Sequence, residues 1–144
     1  MSVSIQNLVV EKARAAKEAS KILAYLSTVV KNRALNRIAA QIQEREEEIL
    51  EANSRDVEAA KARGLSPAMI DRLLLDHFRI KLMADGVREV VALPDPVGEV
   101  ISMWKRPNGL IIGKMRVPIG VIGFIYEARP NATLDAAVLS LKAG

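Results

Sequence analysis

The chain contains no cysteine among its 144 residues and a single histidine, His77. Without cysteine, these residues hold no disulfide, no thiolate nucleophile and no cysteine-based metal site. One histidine does not make a metal site, and we interpret His77 as a surface residue at the start of a helix. We therefore expect no metal in this part of the protein.

Aromatic residues make up only 3% of the chain, whereas 50% of its residues are hydrophobic. The core must therefore be built from aliphatic side chains. No apolar run reaches transmembrane length, and the first residues do not read as a signal peptide. We expect a cytoplasmic protein without membrane contact.

The net charge is +4, with the basic excess concentrated at Lys105, Arg106, Lys114 and Arg116. Such a surface can serve nucleic acid or an anionic small ligand. Because no aromatic residues are interleaved with these cations, we favour a solvated strand face and expect no nucleic-acid partner.

Helical periodicity dominates residues 1–97. Apolar residues at spacings of three and four predict helices over about 5–26 and 28–52, with 53–56 as a break or cap. The acidic run at 44–48 indicates a solvated face rather than a metal or partner site, since consecutive helical residues point in different directions.

Local signals mark the ends of the later helices. Gly64 closes a short helical piece over 57–62, and Ser66 and Asp76 are N-cap candidates for the next two helices. Pro94 ends helical structure.

Residues 98–117 predict an antiparallel hairpin. Asn108-Gly109 is typical of a type I′ turn, whose two central residues have positive φ. In the second arm Lys114 and Arg116 share one face, and apolar residues share the other: Ile111, Met115 and Val117. We expect one face of the hairpin to be solvent-exposed and the other to be buried.

The last segment predicts a strand, a polar turn and a helix. Residues 119–126 are apolar at almost every position, which favours a central strand buried on both faces. Residues 133–142 have helical spacing and end at Gly144. This unit predicts an α/β fold with a ligand at the carboxyl end of the strand. Because a buried parallel strand needs neighbours on both sides, we expect the sheet to be incomplete within these residues.

Candidate chemistry lies at residues 126–131. The Arg129 guanidinium can clamp a phosphate or a carboxylate, and the Asn131 amide can donate to a developing oxyanion. Two structural alternatives remain open. Asn131 or Thr133 can cap the last helix, and Arg129 can form an ion pair with Glu127.

The motifs resemble one enzyme family. Residues 117–131, which end in Tyr-Glu-Ala-Arg-Pro-Asn, closely resemble γ-glutamyl phosphate reductases of the aldehyde dehydrogenase superfamily. Asp71-Arg-Leu-Leu-Leu75 and residues 92–99 agree with it. The resemblance spans nearly the whole chain and matches the amino-terminal third of the family's chain. The family's catalytic cysteine would lie beyond Gly144.

This resemblance implies the roles of the site residues. The strand at 119–126 becomes the first of an atypical Rossmann domain, followed by a loop along an NADPH/NADP cofactor. The implied cofactor-lining positions are Ile125, Tyr126, Glu127 and Ala128. Arg129 falls where the superfamily has its oxyanion asparagine, so Asn131 supplies that amide only if the loop is shorter. Arg129 is the expected substrate-binding residue.

The resemblance also implies a reaction and partners. The family reduces L-glutamyl 5-phosphate to the 5-semialdehyde with NADPH in L-proline biosynthesis. Residues 1–97 would be the helical part of the cofactor domain, 98–117 an arm joining a homo-oligomer, and 118–144 the first β-α unit. The pathway's glutamate 5-kinase is a candidate partner. Two alternatives are a non-catalytic assembly module and another aldehyde dehydrogenase, against which the loop at 127–130 argues.

Overall fold

The computed structural model describes residues 5–127 and 129–144. Within these ranges the chain forms six helices and one two-stranded antiparallel sheet. In order they are α1 (Ile5–Leu23), α2 (Thr28–Glu44), α3 (Glu46–Ala62), α4 (Pro67–Leu73), α5 (His77–Ala92), β1 (Val100–Lys105), β2 (Ile111–Met115) and α6 (Pro130–Ala143). No helix among the described residues is both long and apolar enough to span a membrane.

The core lies where α2, α5 and α6 pack together. It is aliphatic, as the composition predicted, and its buried cluster consists of Leu35, Ala39, Ala84, Val87 and Val138. Partly buried side chains such as Leu134 and Leu141 extend the cluster along α6. The helix predicted over 133–142 and its end at Gly144 are therefore confirmed, since α6 spans Pro130–Ala143 with Gly144 as its C-cap. In contrast, α1 buries none of its residues.

The predicted helix ends are confirmed by local hydrogen bonds. Asp76 accepts at 2.7 Å from the Arg79 amide, and Ser66 caps α4 in the same way, with Pro67 in the first turn. After α3, Gly64 has a φ of +73° and lies in a Schellman motif, since the next amide donates to the Ala60 carbonyl.

The predicted break at 53–56 is wrong, because those residues lie inside α3 and the break falls at Arg45. The buried Asn53 side chain does not cap its own helix. It donates to the Leu73 carbonyl and accepts from the Leu75 amide, each at 2.8 Å. Its amide therefore ties α3 to the connection between α4 and α5.

The hairpin is confirmed, but its turn differs from the prediction. The Gly109 amide donates to the Arg106 carbonyl at 2.9 Å, which makes Pro107 and Asn108 the central residues. Proline holds φ negative, so the type I′ turn is wrong. Gly109 follows with a φ of +86°, completing a three-residue loop.

Neither face of the hairpin is buried, so the prediction of a buried face is wrong for this structure. All of β1 is exposed, as are Ile111, Met115 and Val117. The strands pair as a two-stranded sheet with a bulge between Val100 and Ser102, and no further described strand or helix covers them.

Residues 119–126 form neither a strand nor part of the core, which corrects the predicted buried strand. Ile119 is 91% exposed and Ile125 fully exposed. A parallel strand is held by hydrogen bonds to its neighbours, and among the described residues no strand lies beside this segment. The apolar pattern is present without the partners that would bury it.

A buried polar cluster joins the core to the base of the hairpin. The Lys31 ammonium lies 3.1 Å from the Asp95 carboxylate and donates at 3.3 Å to the Lys142 carbonyl. The Lys142 ammonium donates to Asn32 Oδ1 at 2.7 Å and to the Val91 carbonyl at 3.0 Å. The cluster therefore connects α2, α5, α6 and the segment that leads into β1.

Opposing effects act on the pKa of Asp95. Burial favours the protonated acid, but hydrogen bonds from the Val97 amide, Lys31 and Thr28 outweigh it and hold the pKa below its ordinary value. The carboxylate is therefore stabilised as an anion at the base of the hairpin.

Candidate functional site

The start of α6 positions the candidate residues. The helix begins at Pro130, with Arg129 in the N-cap position and no side-chain cap. Asn131 therefore lies in the first turn, and the capping alternative is wrong for Asn131 and Thr133. Instead, the Thr133 hydroxyl lies 2.5 Å from that of Tyr126.

The described part of the structure also does not contain the alternative ion pair between Arg129 and Glu127. Across residues 5–127 and 129–144, no ion pair or hydrogen bond joins Arg129 to Glu127, and both side chains are exposed. Ala128, between them, lies outside the described residues. The Arg129 guanidinium is therefore open to an external anion.

A cavity of about 420 Å³ separates the start of α6 from α4 and α5. Arg129, Pro130 and Asn131 line one side of it, and Arg72 and Met83 are among the residues on the other. The structure thus brings together the two residues predicted for substrate and oxyanion binding.

The predicted cofactor residues lie elsewhere. Ile125, Tyr126 and Glu127 are exposed and do not line this cavity. The Tyr126 ring contacts that of Phe124, with centroids 5.2 Å apart. Within the described residues these side chains form an open surface rather than a closed site.

The motif Asp71-Arg-Leu-Leu-Leu75 shapes the other wall of the cavity. The Arg79 guanidinium donates to the Asp71 carboxylate and to the Leu74 carbonyl, each at 2.7 Å, which fixes the turn from α4 into α5. Arg72 and Asp135 also line the cavity. Neither was predicted as a site residue, although Arg72 lies within the family motif at 71–75.

A larger cavity of about 600 Å³ lies along α2 and α3. Five of its six charged lining residues are already paired: Arg45 with Glu48 at 2.6 Å, Arg55 with Glu51 at 2.7 Å, and Arg37 with Glu44, outside the cavity, at 3.1 Å. The sixth is the carboxylate Asp56, so no cation of this cavity is left unpaired for an anionic ligand. Arg45 and Glu48 shift each other's pKa apart, raising that of the guanidinium and lowering that of the carboxyl through their hydrogen bond. We therefore favour the smaller cavity as the ligand site.

Sequence comparison finds relatives over the whole chain, although no family model matches it. It is 58% identical over 144 residues to a γ-glutamyl phosphate reductase of Moorella thermoacetica, covering all of this chain and 34% of that protein. It is 60% identical over 136 residues to the enzyme of that name from Carboxydothermus hydrogenoformans, covering 94% of this chain and 33% of the relative. The chain thus spans about a third of the length of these curated relatives.

Solved structures agree with the sequence relatives. The γ-glutamyl phosphate reductase of Thermotoga maritima superposes with a TM-score of 0.89 at 48% identity, over 93% of this chain and 32% of that one. The enzyme of that name from Saccharomyces cerevisiae gives 0.87 at 29% identity, over 99% and 35%. Both the resemblance predicted from the motifs and the predicted fold class are confirmed by these matches.

Proposed function

We propose that this chain, which matches the amino-terminal third of γ-glutamyl phosphate reductases in sequence and fold, forms that part of such an enzyme. The reaction is the reduction of L-glutamyl 5-phosphate to L-glutamate 5-semialdehyde, with release of phosphate, in L-proline biosynthesis. The observation that carries the proposal is a match along the whole chain to relatives of which it spans only about a third.

Arg129 is the proposed anion-binding residue. It lines the cavity beside the amino end of α6, where the helix dipole also favours negative charge. A guanidinium binds the oxygens of a phosphoryl group through paired hydrogen bonds. Asn131, in the first turn of the same helix, is the proposed oxyanion donor.

NADPH is the proposed cofactor, and when bound it supplies a hydride. The fully exposed Ile125 and the partly exposed Tyr126 offer apolar surface that fits a nicotinamide ring. Glu127 and Ala128 are proposed to line the same surface. The thiolate that this chemistry uses comes from outside these residues, since none of them is cysteine.

We further propose a cytoplasmic homo-oligomer built through the arm at 98–117, with 1–97 and 118–144 forming the cofactor domain around it. Exposed apolar residues on the arm, among them Met103, Ile111 and Met115, support this arrangement. Glutamate 5-kinase remains a proposed partner on chemical grounds, because its product is the unstable acyl phosphate.

The reaction is tested in reverse, by phosphate-dependent reduction of NADP⁺ with L-glutamate 5-semialdehyde. The full-length protein should be active, whereas residues 1–144 alone should show only the rate without enzyme. A clear rate from a mass-verified 144-residue sample would contradict the thiolate mechanism, and an inactive full-length protein would contradict the proposed reaction.

The role of Arg129 is tested in the full-length protein with Arg129→Ala. Losing one charge-assisted contact should lower kcat/KM for phosphate about ten- to a hundredfold. The KM for NADP⁺ should change little, because Arg129 faces the cavity and not the surface at 125–127. If the variant only melts earlier while its phosphate dependence is unchanged, Arg129 has a structural role.

A further inference from the structure

The charged side chains around the 420 Å³ cavity fall into two groups. Arg79 and Asp71 satisfy each other through an ion pair of 2.7 Å. Arg72, Arg129 and Asp135 have no ion pair or side-chain hydrogen bond to any residue in the described ranges. Two cations and one anion are therefore free to meet a ligand.

These free charges come from separate elements that converge on the cavity. Asp135 lies four residues after Asn131 on α6, so the two side chains share one face of that helix. Arg72 comes from α4 on the other wall. Leu82 and Met83 of α5 add apolar surface between them. A polar ligand would thus meet charges on both walls, with apolar surface along its middle.

We propose that Arg72 and Asp135 bind the amino-acid head group of the substrate, Arg72 its α-carboxylate and Asp135 its α-ammonium. This inference rests on the proposed function, which assigns the phosphoryl end of the same molecule to Arg129. L-Glutamyl 5-phosphate carries one carboxylate, one ammonium and one phosphoryl group, and the three free charges match them one to one.

Size and chemistry support this pairing. The cavity volume of about 420 Å³ lies in the range that suits small-molecule ligands. Arginine binds a carboxylate through two parallel hydrogen bonds, and aspartate accepts from an ammonium. The methylene groups between the two ends of the substrate would lie along Leu82 and Met83. The amino-acid end would then be recognised by residues that take no part in the chemistry.

Two truncated aldehydes separate the roles of these residues. 5-Oxopentanoate lacks the α-ammonium of L-glutamate 5-semialdehyde, and 4-aminobutanal lacks the α-carboxylate. The full-length protein is assayed with each aldehyde, saturating phosphate and NADP⁺. Each variant is compared with wild type on the same aldehyde, so that cyclisation of the amino-aldehydes cancels.

Arg72→Gln should lower kcat/KM about tenfold or more for L-glutamate 5-semialdehyde and 5-oxopentanoate, which carry the carboxylate. The kcat/KM for 4-aminobutanal should stay unchanged. Asp135→Asn should lower kcat/KM by a similar factor for L-glutamate 5-semialdehyde and 4-aminobutanal, which carry the amine. The kcat/KM for 5-oxopentanoate should stay unchanged. Arg72→Lys should restore part of the loss, because it keeps the charge without the planar fork.

Arg63→Gln is the matched control, since Arg63 is exposed and lies outside this cavity. It should behave as wild type with all three aldehydes. The inference is overturned if wild type is active but Arg72→Gln and Asp135→Asn affect all three aldehydes equally, or none. An inactive wild type would instead refute the proposed function, so the two failures are distinguishable.

Discussion

Replacing Lys31 with methionine should destabilise the chain by about 3–5 kcal/mol, because it removes one partner of a buried ion pair. The Lys31 side chain is 0% exposed and that of Asp95 is 9% exposed, with nitrogen and oxygen 3.1 Å apart. Methionine keeps an unbranched apolar stem, so the packing is retained and the charge is lost. The Asp95 carboxylate would then remain at the base of the hairpin without its cation.

The remaining contacts of Asp95 set the size of the effect. It still accepts hydrogen bonds from Thr28 and from the Val97 amide, each at 3.0 Å, so we expect the lower part of the range. Even about 3 kcal/mol is a large share of the 5–15 kcal/mol that stabilises a typical domain. The exposed pair of Lys21 and Glu18, with side chains 60% and 70% exposed, provides the control. Lys21→Met should cost at most about 1 kcal/mol.

Urea unfolding followed by circular dichroism measures both variants, and equal m-values would show that only stability has changed. The double variant Lys31→Met with Asp95→Asn should lose less than the sum of the single variants, because no buried charge is left unpaired. A loss from Lys31→Met no larger than that from Lys21→Met, or two single losses that simply add, would refute an uncompensated buried charge at Asp95.

Three other predictions test local features. Because the pKa of Asp95 is held below its ordinary value, the stability that its carboxylate contributes is complete above that ordinary value and is lost as pH falls through the lower folded pKa. Urea midpoints should therefore drop in acid below about pH 4, and less steeply in Asp95→Asn. Gly109→Val should cost about 1 kcal/mol or more at a φ of +86°, whereas Gly123→Val, also in open space but without positive φ, should be nearly neutral by thermal melting. Asn53→Ala leaves two backbone groups unpaired and should cost about 1–3 kcal/mol, while Ser54→Ala at the exposed neighbouring position should not change the urea midpoint.

Short-range features of this protein were predictable from its sequence. The caps at Ser66 and Asp76 and the Schellman motif at Gly64 join atoms only a few residues apart, so the local pattern specifies them. The hairpin and the family motif at 126–131 were found for the same reason. At the candidate site, the local sequence predicted both Arg129 and Asn131.

Contacts between distant parts of the chain were decided only by the tertiary structure. Lys31 and Asp95 are 64 residues apart, and nothing in helical periodicity distinguishes this buried lysine from a solvated one. Nor does helical periodicity show that Asn53, which was predicted as part of a break, hydrogen-bonds to the end of another helix. It also does not show that Arg72 and Arg129 line the same cavity. The apolar segment at 119–126 shows the converse, since its pattern predicts burial while burial itself requires neighbouring strands. Local sequence determines which hydrogen bonds a segment can make with itself, whereas burial and pairing depend on what the rest of the chain brings beside it.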